Sequence, residues 1–173
     1  DGDYTYAEAF DMYQEQIRIL ADSGIDLIAA ETMINIEETL AAVDAAASVC
    51  DLPIMCTMTV EADGSIFSGG NAIEASVSLE AAGADAVGIN CSVGPDQLVS
   101  VVRSIKENVS IPVIAKPNAG MPTIDDKGQA VYSMNAEDFA SYMKVLIESG
   151  ASVVGGCCGT TPAFIKALHD SIR

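Results

Sequence analysis

Short, almost wholly apolar runs recur along this chain, each followed by a longer stretch with helical spacing. Three of the runs share one pattern: Ser23-Gly24-Ile25-Asp26-Leu27-Ile28, Ala82-Gly83-Ala84-Asp85-Ala86-Val87 and Ser149-Gly150-Ala151-Ser152-Val153-Val154. In each, a small residue and a glycine close a helix and a strand follows. Glycine ends a helix cheaply because it enters left-handed backbone without a Cβ penalty. Two further runs, Leu52-Pro53-Ile54-Met55 and Ile111-Pro112-Val113-Ile114, lie 59 residues apart, as do the first two glycine-containing copies. Strands are therefore predicted to begin near residues 25, 53, 84, 112 and 151. A cadence of about 30 residues, broken only before the last run, is that of βα units with parallel strands. Nearly continuous apolar strands imply a sheet covered on both faces.

The intervening stretches carry helix starts and apolar stripes. Residues 6–22 place Phe10, Ile17, Leu20 and Ala21 on one side. Asn35 with Glu38, and Asn71 with Glu74, form capping-box patterns; the first precedes Leu40, Val43 and Ala47. Pro95 suits a first helical turn, followed by Leu98, Val101, Val102 and Ile105. Asn135 caps a stretch carrying Phe139, Tyr142, Met143, Leu146 and Ile147. Thr161-Pro162 opens the last, with Phe164, Ile165, Leu168 and Ile172 predicted to face inward. Residues 119–134, with Gly120, Pro122, Asp125-Asp126 and Gly128, read as a long loop, and a loop of that length in a compact domain is usually functional or mobile.

Five βα units result. An eight-unit (βα)8 barrel of this cadence needs about 250 residues, and the chain has 173. Either the sheet is open, or residues 1–173 are the last five units of a TIM-type barrel with the first three absent. A chain that starts on a helix favours the second. Such a partial barrel would expose strand edges that invite self-association.

Composition narrows the classes. Half the residues are hydrophobic, so the chain can bury a core. The net charge of -17 argues against nucleic acid as a partner. No apolar run approaches the roughly 20 residues that span a bilayer, and Asp1-Gly2-Asp3-Tyr4 lacks the features of a signal peptide. Five cysteines without a secretory signal do not make a disulfide framework; a reducing, cytoplasmic setting is expected, where clustered thiols bind metals or catalyse.

In parallel α/β folds the active site lies at the C-terminal ends of the strands. Those ends read Glu31-Thr32, Met58-Thr59, Asn90-Cys91, Pro117-Asn118 and Cys157-Cys158. Aligning the glycine-containing copies puts Glu31, Asn90 and Cys157 at one position and Thr32, Cys91 and Cys158 at the next. Three thiols at one sheet edge suit Zn²⁺, which thiolates bind at about 2.3 Å, and three protein ligands leave an exchangeable position. Adjacent cysteines reach one ion only if the backbone turns sharply, as the flanking glycines permit. A substrate thiol in the open position would be deprotonated yet stay nucleophilic beside three other thiolates, which favours thiol alkylation. Plainer readings stand beside this one: a structural zinc site, buried thiols, or a redox pair at Cys157-Cys158. Cys50 and Cys56 read as core residues, His169 as solvated, and Asp125-Asp126 as a solvated loop tip. Lys116 has no assigned role.

Gly88-Ile89-Asn90-Cys91, Pro117-Asn118-Ala119-Gly120 and Gly155-Gly156-Cys157-Cys158-Gly159-Thr160-Thr161-Pro162 resemble the homocysteine S-methyltransferase domain family. Pro-Asn-Ala-Gly-Met-Pro and Gly-Thr-Thr-Pro look most like the homocysteine-binding, N-terminal module of cobalamin-dependent methionine synthases. The resemblance implies a zinc-dependent transfer of a methyl group to homocysteine, giving methionine. It implies Cys91, Cys157 and Cys158 as zinc ligands, and Asn118 as the group that fills the fourth position before substrate arrives. It also implies that Glu31 holds the substrate's amino group. Cobalamin would then sit on a separate domain, and corrinoid- and pterin-binding domains would be partners; relatives use betaine or S-methylmethionine type donors instead. The family's first strand, with an Asp-Gly-Ala-Met-Gly-like motif, has no counterpart here, and Asp1-Gly2 does not replace it. A fragment of this kind is expected to be inactive alone, and a non-catalytic zinc-binding module is the alternative.

Overall fold

The computed structural model describes residues 4–173; Asp1-Gly2 lies outside them. Five parallel strands, β1 (Ile28–Met33), β2 (Ile54–Met58), β3 (Ala86–Cys91), β4 (Val113–Pro117) and β7 (Ala151–Val154), form one sheet in the order β1-β2-β3-β4-β7. Helices α1 (Tyr6–Asp22), α2 (Ile36–Val49), α3 (Ala72–Ala82), α4 (Val99–Asn108), α5 (Ala136–Glu148) and α6 (Pro162–Ser171) alternate with them. Strand order follows chain order, so right-handed crossovers put every connecting helix on the same face of the sheet.

That face holds the core. Ile54, Cys56 and Met58 of β2, Val87 and Ile89 of β3, and Val113 and Ala115 of β4 belong to one buried cluster, with Leu79, Ile105, Phe139, Met143 and Leu146 from the helices. Phe139 meets Phe164 edge to face, ring centroids 5.5 Å apart, which ties α5 to α6. Alternation sends Thr57, Asn90 and Lys116 to the other face. Gly88 also lies there, where a Cβ would stand 2.0 Å from the Ile114 carbonyl oxygen, so β3 and β4 approach only because that position is glycine.

The local expectations hold in large part. The three repeat glycines, Gly24, Gly83 and Gly150, have φ of 85°, 104° and 114°. The side chains of Asn35, Asn71 and Asn135 each accept an N–H in the first turn of their helix, from Glu38, Glu74 and Asp138. A reciprocal box forms at Asn71, whose N–H donates to Glu74 at 3.1 Å. It does not form at Asn35, because the Tyr13 hydroxyl donates to Glu38 at 2.8 Å.

Four expectations change. Residues 119–134 are not an irregular loop: β5 (Pro122–Ile124) and β6 (Ala130–Tyr132) pair antiparallel, with Asp125 accepting the Lys127 and Gln129 N–H groups at the tip. Pro95 opens a 3-10 turn, Pro95–Gln97, and α4 starts only at Val99. Ile165 and Ile172 do not face inward but are 45% and 48% exposed, and Leu20 is 38% exposed. The cause is position: α1 packs mainly on α2 and α6 mainly on α5, so each end helix keeps a bare flank. Burial of both strand faces likewise fails for β1 and β7, the sheet's edges, where Ala29, Glu31, Ser152 and Val153 are exposed. Among the described residues no helix is long and apolar enough to cross a membrane.

Replacing Phe139 by Ala empties a fully buried site and breaks the α5–α6 ring contact. Such truncations cost about 3–5 kcal/mol. Denaturant unfolding of the intact protein is expected to show a loss in that range, and a loss below about 1 kcal/mol would mean that the seam is not part of the core.

Candidate metal centre

Cys91 ends β3, and Cys157 and Cys158 follow β7. β4 runs between those strands, so the sulfurs meet only across its end. Two backbone devices bring this about. Cys91 and Ser92 both have left-handed backbone, φ 63° and 65°, which folds the chain back over the rim. This conformation costs a non-glycine residue of order 1–2 kcal/mol and persists only where its surroundings hold it. Here the Ser92 hydroxyl accepts the Val60 N–H at 2.9 Å, and the Ser92 carbonyl accepts an N–H of the Asn118 amide at 2.9 Å.

The second device fastens the cysteine pair to β4. The Cys157 N–H donates to the Pro117 carbonyl at 2.8 Å, the Cys158 N–H to Asn118 Oδ1 at 3.0 Å, and the Ala119 N–H to the Cys158 carbonyl at 2.9 Å. The Thr160 hydroxyl closes the turn on the Cys157 carbonyl at 2.7 Å. Gly159 follows at φ 79°, and a Cβ there would overlap the ring of Tyr132 on β6, so the hairpin lies against the cysteine turn.

The three Sγ atoms lie within 4.8 Å of one another, with Cys91 to Cys158 at 3.7 Å and Cys157 to Cys158 at 3.9 Å. Thiolates about 2.3 Å from one tetrahedral ion stand about 3.8 Å apart, so the donor set fits zinc. Burial pushes the Cys91 thiol up to about 11; the Ser92 N–H opposes that shift, and Cys158 and Cys157 add to it. Burial and the nearby Cys158 also raise Tyr132. The Cys91 thiol thus resists ionisation without a cation, and a dication beside it would favour the thiolate.

Asn90 joins this centre to the rest of the rim. Its side chain is 1% exposed. Oδ1 accepts the Thr32 N–H at 3.0 Å and the Thr57 hydroxyl at 2.8 Å. Nδ2 donates to Thr32 Oγ1 at 2.8 Å, and lies 3.4 Å from Glu31 Oε1 and 3.7 Å from Cys157 Sγ. Glu31 sits on a bulge: Glu31, Thr32 and Met33 stand against only two residues of β2, and Thr32 has φ 64°. Its carboxylate pairs with Lys116 Nζ at 2.5 Å, across the two intervening strands, so this face is concave at the rim.

The structure therefore brings Cys91, Cys157 and Cys158 together, and one amide, Asn90, links Cys157 to Glu31. Asn118 is also at the rim, 4% exposed, but both polar atoms of its side chain are engaged by backbone. Cys56 is in the core, Cys50 caps α2 half-buried, and His169 is exposed beside Asp170. The sequence reading gave no role to Asn90, Lys116, Ser92 or Tyr132. For Asn90 a signal was present, since the repeat sets it level with Glu31 and Cys157. Tyr132 carries none, because Gly120, Pro122 and Gly128 mark residues 119–134 as a loop.

A family model for homocysteine S-methyltransferase matches residues 1–172. The chain belongs to that family. It is 34% identical to a methionine synthase of Mycobacterium tuberculosis over a 177-residue alignment, covering 99% of this chain and 15% of that protein. It is also 34% identical to homocysteine S-methyltransferase 3 of Zea mays, covering 94% of this chain and 49% of that one. The homocysteine methyltransferase MmuM of Escherichia coli superposes in its apo form with a TM-score of 0.79 at 22% identity, over 97% of this chain and 57% of that chain. Its metallated form gives 0.75 at 25% identity, over 98% and 54%. The chain thus spans about half the length of the plant enzyme and a much smaller share of the methionine synthase.

The raised Cys91 thiol sets a reactivity. The thiolate is the nucleophile, so in metal-free protein Cys91 alkylates slowly at pH 8, with a rate that climbs toward pH 11. Peptide mass spectrometry after timed iodoacetamide treatment reads this; a rate already levelling near pH 8.5 would contradict the thiol's assigned environment.

Proposed function

We propose that this chain carries the methyl-accepting site of a homocysteine methyltransferase, with Cys91, Cys157 and Cys158 as ligands of one zinc ion and homocysteine as the thiol that is methylated to methionine. The observation that carries the reading is the sulfur triangle, spaced for one tetrahedral ion. Family membership supports the substrate, and the metallated form of MmuM supports a metal in a relative. Zinc bound there would supply the charge that holds a substrate thiol as thiolate.

The chain's own residues do the rest. Asn90 donates toward both Glu31 and Cys157, which fixes the distance between the amino-group site and the metal site. Glu31 offers the carboxylate for the substrate ammonium. Asn118 holds the Cys91–Ser92 turn and the Cys158 backbone together. Its Oδ1 keeps a second lone pair, through which it serves as the fourth donor before substrate enters. The homocysteine thiol would give up one proton to solvent; the thiolate would then form a bond to the methyl carbon as the methyl–donor bond breaks, its electron pair leaving with the donor. The corrinoid branch, with the methyl group drawn from methylcobalamin on another domain and originally from a methylated pterin, is the donor we favour, on the Pro-Asn-Ala-Gly-Met-Pro motif and the mycobacterial relatives.

We read the five βα units as five of the eight in a (βα)8 barrel. The length of the plant relatives and the unpaired outer edges of β1 and β7 among the described residues support this. Residues 1–173 alone would then lack part of the pocket, self-associate through those edges and turn over no substrate.

The intact protein is expected to bind about one zinc per chain, and Cys157→Ala to abolish both stoichiometric zinc and methyl transfer. With cobalt in place of zinc, L-homocysteine is expected to change the absorption spectrum. Methyl transfer undiminished in Cys157→Ala would end the proposal.

A further inference from the structure

Lys116 is out of character with the chain. The sequence has 25 acidic residues against 8 lysines and arginines. Among the described residues, Lys116 is the one lysine or arginine that hydrogen-bonds to the Glu31–Asn90–Cys157 group. It stands opposite Asn90 in the β3–β4 register. Its stem runs past Gly155, where a Cβ would touch Lys116 Cγ and Cδ at 3.4 Å, and its side chain is only 18% exposed. The ammonium is thus laid along the concave face and delivered to the carboxylate that the substrate's amino group needs.

We infer that Lys116 receives the α-carboxylate of the amino-acid substrate, so that Lys116 and Glu31 together form a clamp for a zwitterion. This rests on the proposed reading of the site. In the free protein the two charges satisfy one another. Glu31 is 40% exposed at the rim, so water screens the pair from that side and lowers the cost of opening it. An α-amino acid brings an ammonium and a carboxylate on one carbon, and exchanges one internal ion pair for two charge-assisted contacts with no change in net charge. A ligand with an ammonium alone would strand Lys116; one with a carboxylate alone would meet Glu31 unpaired. On a chain of net charge -17, a substrate carboxylate without a cation to receive it would be repelled. The ion pair thus makes the site selective for amino-acid thiols over simple thiols, and the tie from Glu31 through Asn90 to Cys157 sets how far the thiol stands from the zwitterion.

The test compares two ligands on the cobalt-loaded intact protein, read by the absorption change at the metal: L-homocysteine, and 3-aminopropane-1-thiol, which lacks only the carboxylate. Wild-type protein is expected to bind L-homocysteine about 10- to 100-fold more tightly, the usual range for a lost hydrogen bond to a charged group. Lys116→Met is expected to abolish that preference by weakening L-homocysteine alone, and Lys116→Arg to restore most of it; bound cobalt per chain confirms that each variant keeps its metal site. Lys116→Met that retains the preference overturns the inference. So does one that weakens both thiols equally, for Lys116 would then merely orient Glu31. If neither thiol perturbs the wild-type spectrum, the thiol–metal reading falls and takes this inference with it.

Discussion

Everything at the rim depends on one geometric demand: sulfurs from two strand ends must converge across a third. β3 delivers one and the turn after β7 delivers two, with β4 between them. The end of β4 therefore has to be a fastening. Pro117, Asn118 and Ala119 take on the cysteine turn from one side, and Asn118 holds Ser92 from the other. Seen this way, Asn118 and the cysteines are one unit. Its side chain satisfies backbone groups on both flanks, and a buried amide with its partners met rigidifies what it touches.

A second layer follows from curvature. Side chains three strands apart reach one another only because the sheet closes inward at its C-terminal edge, and the Glu31–Lys116 pair measures that closure. Small residues make it achievable: Gly88 lets β3 and β4 approach, and Gly155 gives Lys116 room to lie flat. The helix-facing side is filled with Leu79, Ile89, Val102 and Met143 in the usual way. The two faces of one sheet are thus built by opposite rules, bulk toward the helices and small or polar groups toward the site.

Much of this was legible in the sequence. The five strands, their parallel order and the convergence of Cys91, Cys157 and Cys158 follow from a glycine-marked repeat and from the rule that strand ends meet at one edge. Other features could not be read. Glu38 was available as a cap partner by sequence, but Tyr13, 25 residues earlier, claims it. Ile165 and Ile172 have the periodicity of buried residues, yet burial requires a neighbour that periodicity does not supply. The hairpin of residues 122–132 hid behind Pro122 and Gly128, which read as loop residues until the strands between them pair. Asn90 was level with the two residues it joins, but a hydrogen-bond hub is a three-dimensional fact; only its alignment was visible.

The repeat links the rim of β1 to the rim of β3. Thr32 and Cys91 occupy matching positions, eight residues beyond Gly24 and Gly83, and share the same left-handed backbone at φ 64° and 63°. One copy places a hydroxyl there and the other a thiol, with the backbone unchanged. The bend is therefore shared by two of the three glycine-marked copies; the third places Cys158 at the matching position without left-handed backbone. On that one bend the first copy ties Thr32 to Asn90, and the second turns a sulfur toward the other two thiols.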